Sequence, residues 1–303
     1  MSAGGAGAGP ARRPLTAIIP TFNEEESLPD CLDSVRFADE ILVVDSFSTD
    51  RTVALAGERG ARVIQRDYGY SAQQKNWAIP QAAHEWILLV DADERVTPGL
   101  RDEIRALLEA GPEADGYWIR RANFFMGRHI RRCGWGGDTV IRLFRRDVSR
   151  YQDRKVHAEI DLQGPLPALA HPLEHHTFRS FAQYWRKLDL YSDWGARQMY
   201  LEGRRTGGAG IVLRTCGRFI RMYVLKLGFL EGAHGVVLSL FGAFTVYLKY
   251  ARLWELQIMG KRPDAAAAGP ASDVAGPGPL VGEPAGHREV GTARRSGGHG
   301  PGP

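Results

Sequence analysis

Two carboxylates one residue apart, Asp91 and Asp93, follow directly on the apolar run Trp86-Ile87-Leu88-Leu89-Val90. A run that short, rich in large aliphatics and ended by charge, predicts a strand buried on both faces. Its carboxyl end then delivers Asp-Ala-Asp to the edge of a sheet, which in open α/β folds is where ligands bind. Oxygen donors so placed suit a hard divalent cation, Mg²⁺ or Mn²⁺, ions that commonly also hold phosphate. The same acids would equally solvate a strand end and lead into the helix expected from Thr97-Pro98, so the pair needs company before it marks a site.

That company has to come from other strands ending at the same edge. Leu15 to Ile19 predicts a strand stopped by Pro20, with Asn23 expected to cap a helix running through Glu24, Glu25 and Glu26. Glu40 to Val44 predicts a second strand ending at Asp45, and Ser46-Phe47-Ser48-Thr49-Asp50 leads to a helix near Arg51. Ala61 to Ile64 gives a third strand, and a helix from Ser71 to Ala83 carries Lys75 and Asn76. Alternation of this kind implies right-handed crossovers and a mostly parallel sheet flanked by helices. Taken singly, Asp45 and Asp50 read equally well as turn and capping residues, and Lys75 as a solvated charge.

Further along, Pro98 to Ala110 predicts an amphipathic helix, and Asp115 to Arg121 and Thr139 to Phe144 predict strands. Between those strands lies the irregular stretch Gly134-Trp135-Gly136-Gly137-Asp138, where Trp135 would serve either as a face for sugar stacking or as a core anchor. Phe181 to Met199 predicts a helix whose stripe of Tyr184, Trp185, Leu188, Tyr191 and Trp194 is most simply core packing.

Four stretches taken together resemble the family 2 glycosyltransferases: Ile-Ile-Pro-Thr-Phe-Asn-Glu-Glu at 18 to 25, Val-Val-Asp-Ser-Phe-Ser-Thr-Asp-Arg-Thr at 43 to 52, Lys75-Asn76, and Leu-Val-Asp-Ala-Asp-Glu at 89 to 94. The resemblance, which runs from about residue 15 to 258, implies the GT-A nucleotide-diphospho-sugar transferase fold and an inverting, metal-dependent transfer from a nucleotide-sugar donor. By that likeness Thr21, Glu24 and Asp45 face the base and ribose, Lys75 the diphosphate, Asp91 the donor and the metal, and Asp93 and His175 the metal. The Gly-Gly-Asp before Arg142-Leu143-Phe144 resembles the family's catalytic acid position, making Asp138 the first candidate for the base. Glu159 is the second, because related enzymes of lipopolysaccharide core synthesis carry adjacent His-Glu where this chain has His157-Ala158-Glu159. The chain departs from the common Val-Asp-Asp-Gly-Ser pattern at Ser46 and Phe47. His171 and His176 read as structural, hydrogen-bonded histidines.

The 303 residues do not read as uniformly folded. Residues 1 to 13 and 261 to 303 are dominated by Gly, Ala, Pro and scattered charge, so both are expected to be disordered. Between them, 14 to 203 is expected to form the catalytic domain and 204 to 260 a helical membrane-associating extension. That extension has no acid between Glu202 and Glu231, while Arg204, Arg205, Arg214, Arg218, Arg221 and Lys226 alternate with apolar residues. Such a pattern suits an anionic membrane surface. Its apolar run Val236 to Leu248 is only 13 residues long, short of the ~20 that cross a bilayer. A net charge of +4 is too mild to argue for nucleic acid, and Cys31, Cys133 and Cys216 read as reduced packing residues.

The opening residues lack a signal-peptide pattern. The expectation is therefore a glycosyltransferase, hexosyl or heptosyl, peripheral to the cytoplasmic face of the cell membrane, acting on a lipid-linked glycan or lipopolysaccharide core acceptor. A polyprenyl-phosphate sugar synthase and a non-catalytic nucleotide-binding protein are the alternatives.

Overall fold

The computed structural model describes residues 12–153, 159–162, 164–178 and 181–260. Both tails expected to be disordered lie almost wholly outside the described residues, as does Val156-His157-Ala158. Four strands build the first half: β1 (Leu15–Thr21), β2 (Glu40–Asp45), β3 (Arg62–Gln65) and β4 (Trp86–Leu89). They pair in parallel in the order β3-β2-β1-β4. Three helices cross between them, α1 (Leu28–Ser34), α2 (Thr52–Glu58) and α3 (Ser71–Ala78). All of Trp86 to Val90 is buried, as a strand covered on both faces requires. At ~1.5–3 kcal/mol per large apolar side chain removed from water, this run is one of the main stabilisers of the sheet.

The second half extends the same sheet with mixed polarity. β5 (Glu94–Val96) leads into α4 (Pro98–Ala110), followed by β6 (Gly116–Phe125), β7 (Arg128–His129), β8 (Thr139–Arg145), a small hairpin β9 (Arg150–Tyr151) and β10 (Ile160–Asp161), and β11 (Leu173–Phe178). The order continues from β4 as β8-β6-β11-β5. Here β8 runs antiparallel to both neighbours, β6 and β11 are parallel, and β5 closes the sheet antiparallel to β11. The sheet is thus all-parallel in its first half and mixed in its second. A short connection such as the one from β6 to β7 allows antiparallel neighbours, whereas parallel ones need a crossover.

Helix α5 (Phe181–Leu201) then leads to α6 (Gly208–Ile220) and α7 (Ala233–Met259). Tyr184 and Leu188 of the expected stripe are buried, and Tyr184 stacks on Phe241 of α7 with ring centroids 4.1 Å apart. Trp185 of the same stripe is 57% exposed and stacks on Phe244. Helix α7 is 27 residues, twice the apolar run read from the sequence, and by length and composition could cross a membrane. Lys249, Tyr250 and Arg252 did not end it because charge on one face of a helix needs only access to water.

Two local expectations fail. Asn23 does not cap a helix: it takes a positive φ of 52°, its Oδ1 accepts the Thr49 amide at 2.8 Å, and α1 begins only at Leu28. An Asn can occupy this left-handed region and bridge two loops with its side chain, and tertiary contact outweighs the local signal. Cys216 is exposed, whereas Cys31 and Cys133 are buried as expected of packing residues, and all three are unpaired.

Candidate active site

The carboxyl ends of β1, β2 and β4 meet along one edge because those strands are parallel and in register, with Thr21 opposite Asp45. A cleft of about 420 Å³, open to solvent, is lined there by Thr21, Glu24, Tyr68, Lys75, Asp91 and Asp93. The structure thus brings together five of the residues nominated from the sequence. Asp45 lies beneath them, fully buried. Its carboxylate accepts hydrogen bonds from the Ser48 amide at 2.9 Å, the Ser48 hydroxyl, Gln65 at 3.0 Å and Thr21 at 3.2 Å. So anchored, Asp45 shapes the loop from Ser46 to Asp50. Phe47 in that loop has a φ of 59°, which the glycine of the common family pattern would adopt without strain.

From Asp91 a line of alternating charges runs beneath the cleft. Lys75 Nζ is 3.2 Å from Asp91 Oδ1, and Arg142 Nη2 holds Asp91 Oδ2. Arg142 Nη2 also lies 2.7 Å from Glu94 Oε1, which Arg121 Nη1 approaches at 3.5 Å. Arg121 in turn donates from Nε and Nη2 to Asp138 Oδ2, at 2.8 and 2.6 Å. Burial works against the charged form of Asp91, but Arg142 and Lys75 outweigh it and hold the carboxyl down at about 2. The same two acids, Asp91 and Glu94, push the Arg142 guanidinium up against the effect of its burial.

The line turns at Asn123. Its Nδ2 donates to the Trp135 carbonyl at 3.0 Å and to Asp138 Oδ2 at 3.3 Å, which leaves Oδ1 as the acceptor facing His175 Nδ1 at 2.7 Å. His175 is buried, and its Nε2 lies 3.6 Å from Asp93 Oδ2. Glu94, Arg121, Asn123 and Arg142 were not singled out in the sequence. Arg121 and Asn123 share the inward-facing positions of β6 with Ile119 and Phe125, an alternation that could have marked them. Tyr191 of α5 was read as packing, yet its hydroxyl is buried with no hydrogen-bond partner among the described residues. Burial raises its phenol, helped by the nearby Asp93 carboxylate, and burial and Asp91 push Tyr68 up to about 12.

Known proteins sharpen this geometry. Residues 16–161 match the model of glycosyl transferase family 2. The lipopolysaccharide core biosynthesis glycosyltransferase LpsC of Rhizobium meliloti is 30% identical over 83% of this chain and 96% of its own length. The chain belongs to glycosyl transferase family 2. An uncharacterized glycosyltransferase of Rickettsia typhi is 26% identical to it over 82% of this chain and 89% of its own. A crystal structure of glucosyl-3-phosphoglycerate synthase from Mycobacterium tuberculosis, in complex with Mn²⁺, uridine diphosphate and glucosyl-3-phosphoglycerate, covers 37% of this chain and 44% of that one, at 21% identity and a TM-score of 0.32, too slight a likeness to argue from.

Whether this family 2 glycosyltransferase can hold a divalent cation is decided by Asp93 and His175. Because Asn123 Oδ1 can only accept, His175 in its neutral form carries its proton on Nδ1 and presents the Nε2 lone pair to Asp93. Two bonds of ~2.1 Å to one ion would set their donor atoms between ~3.0 Å apart at a right angle and ~4.2 Å in line. The observed 3.6 Å lies inside that span, so the pair fits. Asp91, expected in the same shell, has each carboxylate oxygen on a cationic side chain instead. Among the described residues no three His, Cys, Asp or Glu side chains converge as a cation cage. Two protein donors completed by diphosphate and water would suit Mg²⁺ or Mn²⁺.

Of the two candidate bases, Asp138 joins this network through Arg121 and Asn123, both on Oδ2, leaving Oδ1 without a hydrogen bond among the described residues. Glu159 is exposed beside β10 on the small two-stranded sheet, and its carbonyl accepts the Gln152 amide at 2.9 Å. Trp135 is a core anchor rather than a stacking face, 6% exposed and edge-on to Phe125. His171 pairs with Glu103, and His176 pairs with Glu174 and stacks on Phe124.

Proposed function

We propose that this glycosyltransferase moves a sugar, with inversion, from a nucleoside diphosphate donor to a hydroxyl of a lipid-linked or lipopolysaccharide core acceptor at the cytoplasmic face of a membrane. One observation carries the reading: a cleft holding Lys75, Asp91 and Asp93 is joined to Asp138 by an unbroken run of buried ion pairs and hydrogen bonds. Lys75 would meet the diphosphate, and Thr21 and Glu24 the nucleoside. Asp93 and His175 would hold Mg²⁺ or Mn²⁺, which when bound offsets the charge of the departing diphosphate.

Asp138 Oδ1 would take the proton of the acceptor hydroxyl as its oxygen attacks the anomeric carbon. The bond from that carbon to the diphosphate breaks, and the diphosphate leaves with the electron pair. Arg121 and Asn123 fix Oδ2 so that only Oδ1 faces the acceptor. Arg142 and Lys75 keep Asp91 ionised although it is largely dry. The 30% identity to a lipopolysaccharide core enzyme supports the acceptor class.

The membrane part of the proposal rests on α6 and α7. No residue of α6 is buried, and Val212, Leu213 and Leu225 are each at least 60% exposed. A third of the most apolar stretch of α7 is buried within the protein. Arg214, Arg221 and Lys226 stand exposed among these apolar residues, a combination suited to an anionic bilayer surface.

The deciding experiment incubates the purified chain with UDP-, GDP- and ADP-linked sugars, with and without Mn²⁺, and follows donor hydrolysis and transfer to isolated lipopolysaccharide core. Metal-dependent turnover of one donor class is expected. Turnover of none, or turnover indifferent to metal and chelator, overturns the proposal. Transfer only to a polyprenyl phosphate, unaffected by Asp138→Asn, would favour the polyprenyl-phosphate synthase.

A further inference from the structure

The loop that ends in Asp138 has little to hold it from within. Between β7 and β8 it contains Gly134, Gly136 and Gly137, and Cys133 takes a φ of 62°. Gly136 closes so tightly on the Arg131 carbonyl that an added Cβ would lie 2.1 Å from that oxygen. The successive backbone N–H groups of Arg131, Arg132 and Cys133 all find their acceptors in the segment between α6 and α7, and successive N–H groups of this kind elsewhere bind anions.

Here the anion comes from the chain itself. Glu231, in the turn between α6 and α7, accepts the Arg131 amide at 3.1 Å and the Arg132 amide at 3.0 Å, both on Oε1. Its other oxygen lies 3.7 Å from Arg128, and the residue is 6% exposed. The Cys133 amide donates to the Lys226 carbonyl at 2.9 Å, and Cys133 Sγ lies 3.3 Å from Ser239 Oγ of α7. Close approach is possible because Gly228 faces Cys133 Sγ, where a Cβ would lie 2.8 Å from the sulfur. At its other end the loop meets the site: the Trp135 carbonyl holds Asn123, and the Asp138 carbonyl accepts the Arg121 amide at 2.8 Å. A nearly buried carboxylate is costly unless fully hydrogen-bonded, so its position on this loop needs a return.

We propose that Glu231 is a positioning residue through which the α6–α7 hairpin holds the loop carrying Asp138 in place for the acceptor. The hairpin that presents apolar and basic residues outward is thereby tied to the loop that carries Asp138. This inference rests on the reading of Asp138 as the group that meets the acceptor.

The test compares wild type with Glu231→Ala and Glu231→Gln in the full chain, with Asp138→Asn as reference. Amide hydrogen exchange at Arg131 and Arg132 is expected to be slow in wild type, fast in Glu231→Ala and slow again in Glu231→Gln, whose side-chain oxygen still accepts. Binding of UDP and GDP with Mn²⁺ should stay within about twofold of wild type in Glu231→Ala, while kcat for transfer falls about a hundredfold, as expected for a misplaced catalytic group. Glu231→Gln should restore kcat to within about threefold.

Equal loss of nucleotide binding and transfer, or no rescue by Gln, would mark a general structural role and overturn the proposal. Fast exchange of both amides in wild type overturns it even if Glu231→Ala does not fold. Full transfer by Asp138→Asn would overturn the underlying reading. Loss in Asp138→Asn with none in Glu231→Ala would overturn the role of Glu231 alone.

Discussion

Arg142 reaches Glu94 across the sheet, Nη2 to Oε1 at 2.7 Å, with both side chains at most 5% exposed. Through the same nitrogen Arg142 also holds Asp91, so the first acid of Asp-Ala-Asp is half of a buried structural pair as well as a wall of the cleft. The two acids of that motif therefore differ in what they do.

Replacing Asp91 should cost stability. Asp91→Asn leaves Lys75 and Arg142 short of a buried counter-charge, a loss of about 3 kcal/mol. Burial would raise the Asp91 carboxyl, but Arg142 and Lys75 bring it down to about 2 against an ordinary 3.8. Its contribution is then fully present above about pH 4 and is lost as pH falls toward 2. Urea unfolding from pH 7 to pH 3 should show the gap between wild type and Asp91→Asn narrowing over the acid end. A gap independent of pH would be the contrary result.

Asp93→Asn should behave in the opposite way. Its carboxylate lines the open cleft and lies 3.6 Å from His175 Nε2, so unfolding free energy should change by less than about 1 kcal/mol. Mn²⁺ binding, read by electron paramagnetic resonance in the presence of UDP or GDP, should weaken at least about tenfold. Retained affinity would remove Asp93 from the metal site.

For Asn123 the prediction concerns orientation. Asn123→Leu removes the acceptor that holds His175 Nδ1 and the donor to Asp138. Mn²⁺ affinity and transfer should each fall about tenfold to a hundredfold, the range for an outer partner of a metal ligand. Unchanged Mn²⁺ affinity would show that His175 does not depend on it.

At the membrane, neutralising Arg214, Arg218 and Arg221 together should reduce binding to vesicles of phosphatidylglycerol and phosphatidylcholine about a hundredfold, from ~1 kcal/mol per basic residue. Wild-type binding should weaken with added salt. Flotation unaltered by the triple substitution would argue against the basic face as the contact.

The sequence by itself determined the parallel half of the sheet and the edge at which its acids gather. Trp86 to Val90 is too apolar and too short for anything but a covered strand, and parallel strands separated by helices must end on one side. Asp91 and Asp93 follow from that local logic, Thr21, Glu24 and Lys75 from the family resemblance, and all five line one cleft. The partners of these residues were decided by tertiary structure. Arg142 and Arg121 meet Asp91, Glu94 and Asp138 only because β8 is laid antiparallel beside β4 and β6 antiparallel beside β8. Nothing in the spacing of those arginines distinguishes a buried ion pair from a solvated surface one. Likewise Glu231 finds the Arg131 and Arg132 amides about a hundred residues away. Local patterns fix where a strand ends, but which charge answers which is a matter of distance in space, set when the sheet closes and the helices settle against it.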